Sequence, residues 1–595
     1  MNPSTWAPGL ASQRSARAAP RQLVDDDRAR DFTWSNARNW LSGLPHGGGL
    51  NMGYEALDRH VADGLGQKTA IRSIEYGNTV REVSYAEMVE ATARFANALA
   101  ALGVMPGERV CTLLGRVVES DIAALGALKY GCVYAPLPSG LGPELVAERL
   151  RLADARVLVT TPGLYTATIA PIRYKLPHLR HVLLIGAAAN SMPRAMRFDS
   201  ALSSAAQRFS VPDTDPHQPA LLHFTSGTSG EPRGVIQSHE ATVAQIATSR
   251  YALDLHPQDV FWCTADPGWA MATYGLVAAL LHGSTQISDT RDFDAYRWYS
   301  QIEEHHVSVW YTEPFAIHQL MGHGSALPDS HDLTSLRHVA STGEPLDANA
   351  VRWGTHVPDV QIHDTWWQTE TGAIMIGGDP AAAARPGSMG RPLPGVHAAI
   401  LTVDSDNASK GVEAGPELVD APGVVGELAL RRGWPSMFTG YLNDQQAYTS
   451  RFVDDWYRTG DLVTRDEDGY YWFFSRSEEA IVAHGHLVGA FEVENVLREH
   501  PAVDEVGVIG IPSQVGDERV TAYVTLAPGT HPSERLRNDI WTQARAKLGL
   551  MAPEAIVFHA QLPHGANGKL LRRLLRARAL RLGSDNPPIP DVGGP

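Results

Sequence analysis

From Ser84 the chain repeats apolar residues at helical spacing. Met88, Phe95, Leu99 and Leu102 share one face, Ser84 with Glu87 three residues on forms a capping box, and Gly103 ends the pattern. Apolar runs at Val110–Leu114, Cys132–Leu137, Arg156–Thr160 and Val182–Ile185, with a helical stretch after Ser120, alternate strand and helix as a parallel sheet requires. Leu221-Leu222-His223-Phe224 reads as one more strand, running into the loop Thr225-Ser226-Gly227-Thr228-Ser229-Gly230-Glu231-Pro232-Arg233-Gly234. Ligands of such sheets gather at the carboxyl ends of the strands, which is where this loop falls. The pattern changes after the aromatic run Tyr470–Phe474, at Ser475-Arg476-Ser477-Glu478. Beyond it, strands at Glu505–Ile511 and Arg519–Leu526, a helix from Ser533 to about Leu548 and a basic helix over Lys569–Arg581 predict a compact α+β unit.

These boundaries predict an α/β fold with a large N-terminal lobe of several subdomains and a small, mobile α+β C-terminal domain. The expected partition is a disordered leader over 1–31, a large domain over 32–474, a hinge at 475–478, a small domain over 479–582 and a disordered tail over 583–595. Neither a secretory signal nor a run of about 18 apolar residues is present, so a cytoplasmic chain with no membrane partner is expected. A net charge of −16 argues against a nucleic-acid partner and for small molecules. Cys111, Cys132 and Cys263 are too few and scattered for a disulfide framework and read as buried fillers. Oligomeric state leaves no signature.

The 225–234 loop concentrates hydroxyls, glycines and one cation. Thr225, Ser226, Gly227, Thr228, Ser229, Gly230 and Arg233 together suit a triphosphate, because glycine lets backbone N–H groups approach an anion while hydroxyls and a guanidinium add donors. No Lys-Ser/Thr pair follows the second glycine, which argues against a P-loop NTPase. Taken alone, such a loop reads equally well as a flexible surface segment.

Further motifs follow in order: Thr264-Ala265-Asp266-Pro267-Gly268-Trp269, Ser341-Thr342-Gly343-Glu344-Pro345-Leu346, Asp364-Thr365-Trp366-Trp367-Gln368-Thr369-Glu370-Thr371-Gly372 and Tyr457-Arg458-Thr459-Gly460-Asp461. Then come Arg476, Gly485 with Phe491-Glu492-Val493-Glu494, and Leu562-Pro563 with Asn567-Gly568-Lys569. In type and spacing, from about Asn51 to Arg581, the set resembles the adenylate-forming superfamily and its acetyl-CoA synthetase and short-chain acyl-CoA synthetase branch. The resemblance implies an acid–thiol ligase: ATP and Mg²⁺ convert a short carboxylate, acetate first and propionate second, to acyl-AMP and pyrophosphate, and coenzyme A then takes the acyl group. Two anions must meet in the first step, so cations and oriented donors have to be in place beforehand.

The resemblance also implies roles. Lys569 bridges the carboxylate and the α-phosphate, Thr369 donates to the α-phosphate, and Glu370 holds Mg²⁺, an ion that takes few carboxylates plus phosphate oxygens. Gly343, Glu344 and Pro345 form an adenine shelf, with Asp364, Thr365 and Trp366 also on the nucleotide side. Asp461 and Arg476 serve the ribose. Trp367 closes the acyl pocket floor, with Trp269, Ala270, Met271 and Thr342 as further walls. Gly485 and His486 lie on the CoA side, and Glu478 is the hinge residue. Taken singly, most of these are ordinary surface or core residues.

The chain departs from the family pattern at four places: Arg233 stands for a lysine, Ser475 for a glycine, Glu478 for an aspartate and Leu487 for an arginine. Three of these cluster on the thioester side. Two other readings therefore stand beside the first: transfer to a carrier-protein thiol or another acceptor, and a nucleotide-binding regulator that does not turn over.

Overall fold

A computed structural model describes residues 31–186, 195–226, 232–356, 360–402, 417–483, 486–512, 518–565 and 569–582. Its first helix of any length, Tyr85–Ala101, starts on the capping box read from the sequence: Ser84 Oγ accepts from the Glu87 amide and the Ser84 amide donates to Glu87 Oε2. Met88, Phe95 and Leu99 are fully buried on its inner face against the apolar helix Val118–Tyr130. The strands around them read as unbroken apolar runs because helices cover both faces of the sheet.

Two large sheets form the N-terminal lobe. In the first, Arg109–Leu113 is flanked in parallel by Val133–Leu137 and Ala155–Thr160, and His181–Leu184 pairs in parallel beyond them. On the other side Pro219–Ser226 joins Val133–Leu137 in parallel, then Pro232–Ser238 and Gly440–Tyr441 extend the sheet antiparallel. The second sheet has a parallel centre of Thr285–Asp289, Val260–Cys263, Val309–Thr312, His338–Ser341 and Ile362–Trp366. It continues through antiparallel strands that include Trp456–Arg465 and Tyr471–Arg476. The sheets meet closely at Gly268, where a Cβ would sit 2.0 Å from the Pro138 nitrogen, so only glycine lets that motif lie against the first sheet.

The C-terminal unit is a three-stranded sheet, Val503–Pro512, Glu518–Leu526 and Ala555–Phe558, packed with the helices Ala490–Arg498, Glu534–Leu548 and Arg572–Leu582 over its own core. Ser533 caps the middle helix, accepting from the Leu536 amide. The last helix starts at Arg572, three residues later than the basic pattern predicts. Lys569 therefore lies outside it, where the Gly565 amide donates to the Lys569 carbonyl and the Leu571 amide to the Pro563 carbonyl. Ser475 and Arg476 end a strand, bonded in register to Leu462 and Asp461 of the large sheet. Cys111, Cys132 and Cys263 are free and buried.

Candidate active site

The described residues of the 225–234 segment, expected to hold phosphate, lie on a hairpin. Thr225 and Ser226 end one strand, facing Arg233 and Pro232 across an antiparallel pair, while Gly227, Thr228, Ser229 and Gly230 lie outside the described residues. The Arg233 guanidinium lies 5.6 Å from the Tyr441 ring centroid. Tyr441 donates from its hydroxyl to Glu370 Oε1 at 2.8 Å, which fixes one carboxylate oxygen of the candidate metal ligand. Arg451 stands beside the same hydroxyl. Burial works against its charge, but Tyr441, Tyr457 and Glu370 outweigh that and push its pKa up. The Thr369 carbonyl accepts from Gln237 Nε2 at 2.7 Å, pinning the turn to the hairpin's second strand.

The 341–346 segment leaves its strand through Gly343, whose φ of 98° belongs to the left-handed region that favours glycine. Its shape is held by Asp364, not shared with it: Asp364 Oδ2 accepts from the Leu346 amide at 3.2 Å and Oδ1 from the Thr365 amide at 3.0 Å. Burial pushes Asp364 up to about 7. Thr365 turns its hydroxyl to the Ser341 carbonyl at 2.7 Å, so it braces the shelf from behind. Trp366 Nε1 and Gln368 Nε2 each donate to Asp461 Oδ2 at 2.9 Å, and Arg476 Nε lies 2.9 Å from Asp461 Oδ1. The two residues expected on the ribose thus face each other, in an arrangement that also ties down Trp366 and Gln368.

The small unit completes the site. One cavity of about 900 Å³ is lined by Glu344, Trp366, Trp367, Asp461 and Arg476 from the large lobe and by Lys569 from the small one. Burial pushes the Lys569 ammonium below the ordinary lysine range and Arg476 adds to this, while Glu344 and Glu479 oppose it. Arg572 makes a forked contact to buried Glu494, at 2.9 and 2.7 Å, and lies 3.4 Å from Glu479. Burial holds the Glu344 carboxylate above its ordinary range, and three cations of the small lobe, Lys569, Arg572 and Arg498, act against this without cancelling it.

Of the residues expected to wall an acyl pocket, Thr342 and Trp367 line this cavity, whereas Trp269, Ala270 and Met271 do not. Trp269 caps the helix Ala270–Leu281, and Met271 is buried with its carbonyl against Cys263 Sγ. Trp367 is half-buried and donates from Nε1 to the Tyr311 hydroxyl at 3.0 Å. Gly485 lies outside the described residues, the His486 backbone pairs with Ala483, and Glu478 follows the strand end within the field of Arg476. The sequence reading missed Tyr441, Arg451, Gln368 and Tyr311. Tyr441, Gln368 and Tyr311 are common residue types whose partners lie more than fifty positions away, and Arg451 is an ordinary surface type whose nearby partner Tyr441 carries no signature in sequence. Among the described residues no cluster of three or more His, Cys, Asp or Glu could hold a metal, and no helix is long and apolar enough to cross a membrane.

A parallel-sheet lobe and a small α+β lobe that close a cation-bearing cavity at the strand ends define a two-lobed nucleotide-handling enzyme. A model of AMP-binding enzymes matches residues 58–442, and one of the AMP-binding enzyme C-terminal domain matches residues 492–569; the chain belongs to the AMP-binding enzyme family. It is 40% identical over 565 residues to an acetyl-coenzyme A synthetase of Bacillus subtilis (strain 168), covering 94% of this chain and 95% of that protein. It is 32% identical to an acetyl-coenzyme A synthetase of Methanothrix thermoacetophila, covering 90% and 84%. Among solved structures it resembles a Brucella canis acyl-CoA synthetase (TM-score 0.72, 31% identity, 94% and 99% covered) and an anthranilate CoA ligase in complex with anthranoyl-AMP (TM-score 0.82, 26% identity, 92% and 99% covered).

Proposed function

We propose that this chain is an AMP-forming acid–thiol ligase that activates acetate with ATP and passes the acetyl group to coenzyme A. In the first step an acetate oxygen attacks the α-phosphorus of ATP and the bond to pyrophosphate breaks, leaving acetyl-AMP. In the second the CoA sulfur attacks the acetyl carbon, its proton is lost and AMP departs. The observation that carries this reading is the shared cavity, in which an ammonium from the small lobe, Lys569, joins Glu344, Asp461, Arg476 and a closing tryptophan, Trp367.

Lys569 supplies a compact positive charge where carboxylate and α-phosphate meet. Asp461 and Arg476 order the ribose end, and the Gly343–Pro345 shelf takes the base. Glu370 fits a magnesium ion: Tyr441 holds one of its oxygens, leaving a single carboxylate donor of the kind magnesium takes alongside phosphate oxygens, where the ion would neutralise phosphate charge. The indole of Trp367 limits the acid to one or two carbons beyond the carboxyl. After adenylation the small unit turns about 475–478 so that the thiol can approach the acetyl carbon. Three free thiols suit a reducing compartment, and we place the protein in the cytoplasm.

Acetate-dependent exchange of labelled pyrophosphate into ATP tests the first step, and acetyl-CoA formation in the same tubes tests the second. A regulator that does not turn over would give no exchange. Exchange without any acetyl-CoA would point to another acceptor.

A further inference from the structure

The wall behind Trp367 has a direction. Trp367 Nε1 donates to the Tyr311 hydroxyl at 3.0 Å, and that hydroxyl lies 3.3 Å from Thr365 Oγ1. Thr365 already gives its proton to the Ser341 carbonyl at 2.7 Å, so towards Tyr311 it accepts, and Tyr311 donates to it. The hydroxyl's remaining lone pair then receives the indole N–H. The result is a chain, Trp367 to Tyr311 to Thr365 to the Ser341 backbone, anchored in three successive strands of the parallel sheet, with Thr342 also beside the Tyr311 hydroxyl. Tyr311 is completely buried, and burial pushes its pKa up, so the proton that this chain needs stays in place. Tyr274 packs on the same indole, with centroids 5.3 Å apart, and is itself tied to Thr248 at 2.9 Å. Ring packing alone does not fix a rotation, whereas a hydrogen bond to a buried partner does.

We propose that Tyr311 is a specificity-determining positioning residue, which by tethering the Trp367 indole keeps the floor of the acyl pocket raised and shuts out acids longer than propionate. This rests on the reading of Trp367 as the floor in an acetate-activating enzyme. A tryptophan free to swing would open room for further methylenes, each worth about 10- to 200-fold in discrimination.

The test is kcat/KM for acetate and butyrate in the wild type, Tyr311→Phe, Trp367→Gly and the double variant. Tyr311→Phe should raise the butyrate-to-acetate ratio at least fivefold, and should change it by no more than twofold once Trp367 is glycine. A smaller rise, or an equal rise in the Trp367→Gly background, overturns the proposal. Independently of how Tyr311→Phe folds, the Trp367 indole N–H of the ¹⁵N-labelled wild type, assigned by its loss in Trp367→Phe, should exchange slowly with solvent; rapid exchange also overturns it. A wild type that takes hexanoate in preference to acetate would instead sink the acetate reading, and the indole exchange would still report on the tether.

Discussion

Lys569 and Trp367 are separated by 202 positions, yet line one cavity, and the chemistry assigned to each can be tested apart. Lys569→Ala should cut acyl-AMP formation by about two orders of magnitude or more, as removal of a preorganised charge does, while sparing thioester formation from supplied acyl-AMP. Comparable losses in both half-reactions, measured separately, would remove the lysine from its role. Because burial holds this ammonium below the ordinary lysine range, the alkaline limb of the adenylation pH profile should lie below that range as well. Glu344 favours the charged form, so Glu344→Gln should shift the limb further down. An upward shift would contradict the pairing. Trp367→Gly should admit butyrate and hexanoate; if both remain non-substrates, another residue closes the pocket.

Elements of the large lobe are joined by ion pairs as well as by apolar packing. Arg337, one residue before the strand His338–Ser341, reaches Asp254 at 2.5 Å and Asp259 at 2.7 Å, on the segment that leads into Val260–Cys263. All three side chains are buried, and Arg337→Met would strand two carboxylates at a cost of about 3–5 kcal/mol. Burial tends to raise the pKa of Asp254, but His256 and Arg337 outweigh it, so the folded value is depressed. Such a group stabilises above its unfolded pKa of about 4 and loses that contribution as pH falls through the folded value. The Tm gap between wild type and Arg337→Met should therefore be widest near neutral pH and narrow in acid; a gap independent of pH would exclude Asp254 as the source. The contrast with the Tyr85–Ala101 helix shows what a sequence discloses. Ser84 and Glu87 are three residues apart and their capping box was legible in advance, whereas Arg337 finds its partners 78 and 83 residues away through sheet order alone.

Between the two lobes, Lys569, Arg572 and Arg498 of one act electrostatically on Glu344 of the other, so rotation of the small unit would alter this coupling. Glu478→Pro, which locks φ next to the strand end, should leave acetyl-AMP formation largely in place while lowering acetyl-CoA formation about a hundredfold. Equal effects on both would move the hinge elsewhere. The order of motifs made the two-lobed α/β architecture legible, and with it those cavity residues, such as Gly343, Asp461 and Lys569, whose glycine turns and charged loops keep local signatures. The bonds that orient them were not: Tyr441 on Glu370, Asp364 under the shelf and Asp461 beneath Trp366 are set by which strands become neighbours. One of those neighbourhoods has a thermodynamic corollary. Tyr441 pairs with Val235, two residues beyond Arg233 on the hairpin strand, so an anion bound at Arg233 would be coupled to the phenol that steadies Glu370. Nucleotide and divalent ion should then strengthen each other's affinity by an equal factor, and titrating either one alone should reveal a weak ligand that its companion turns into a tight one.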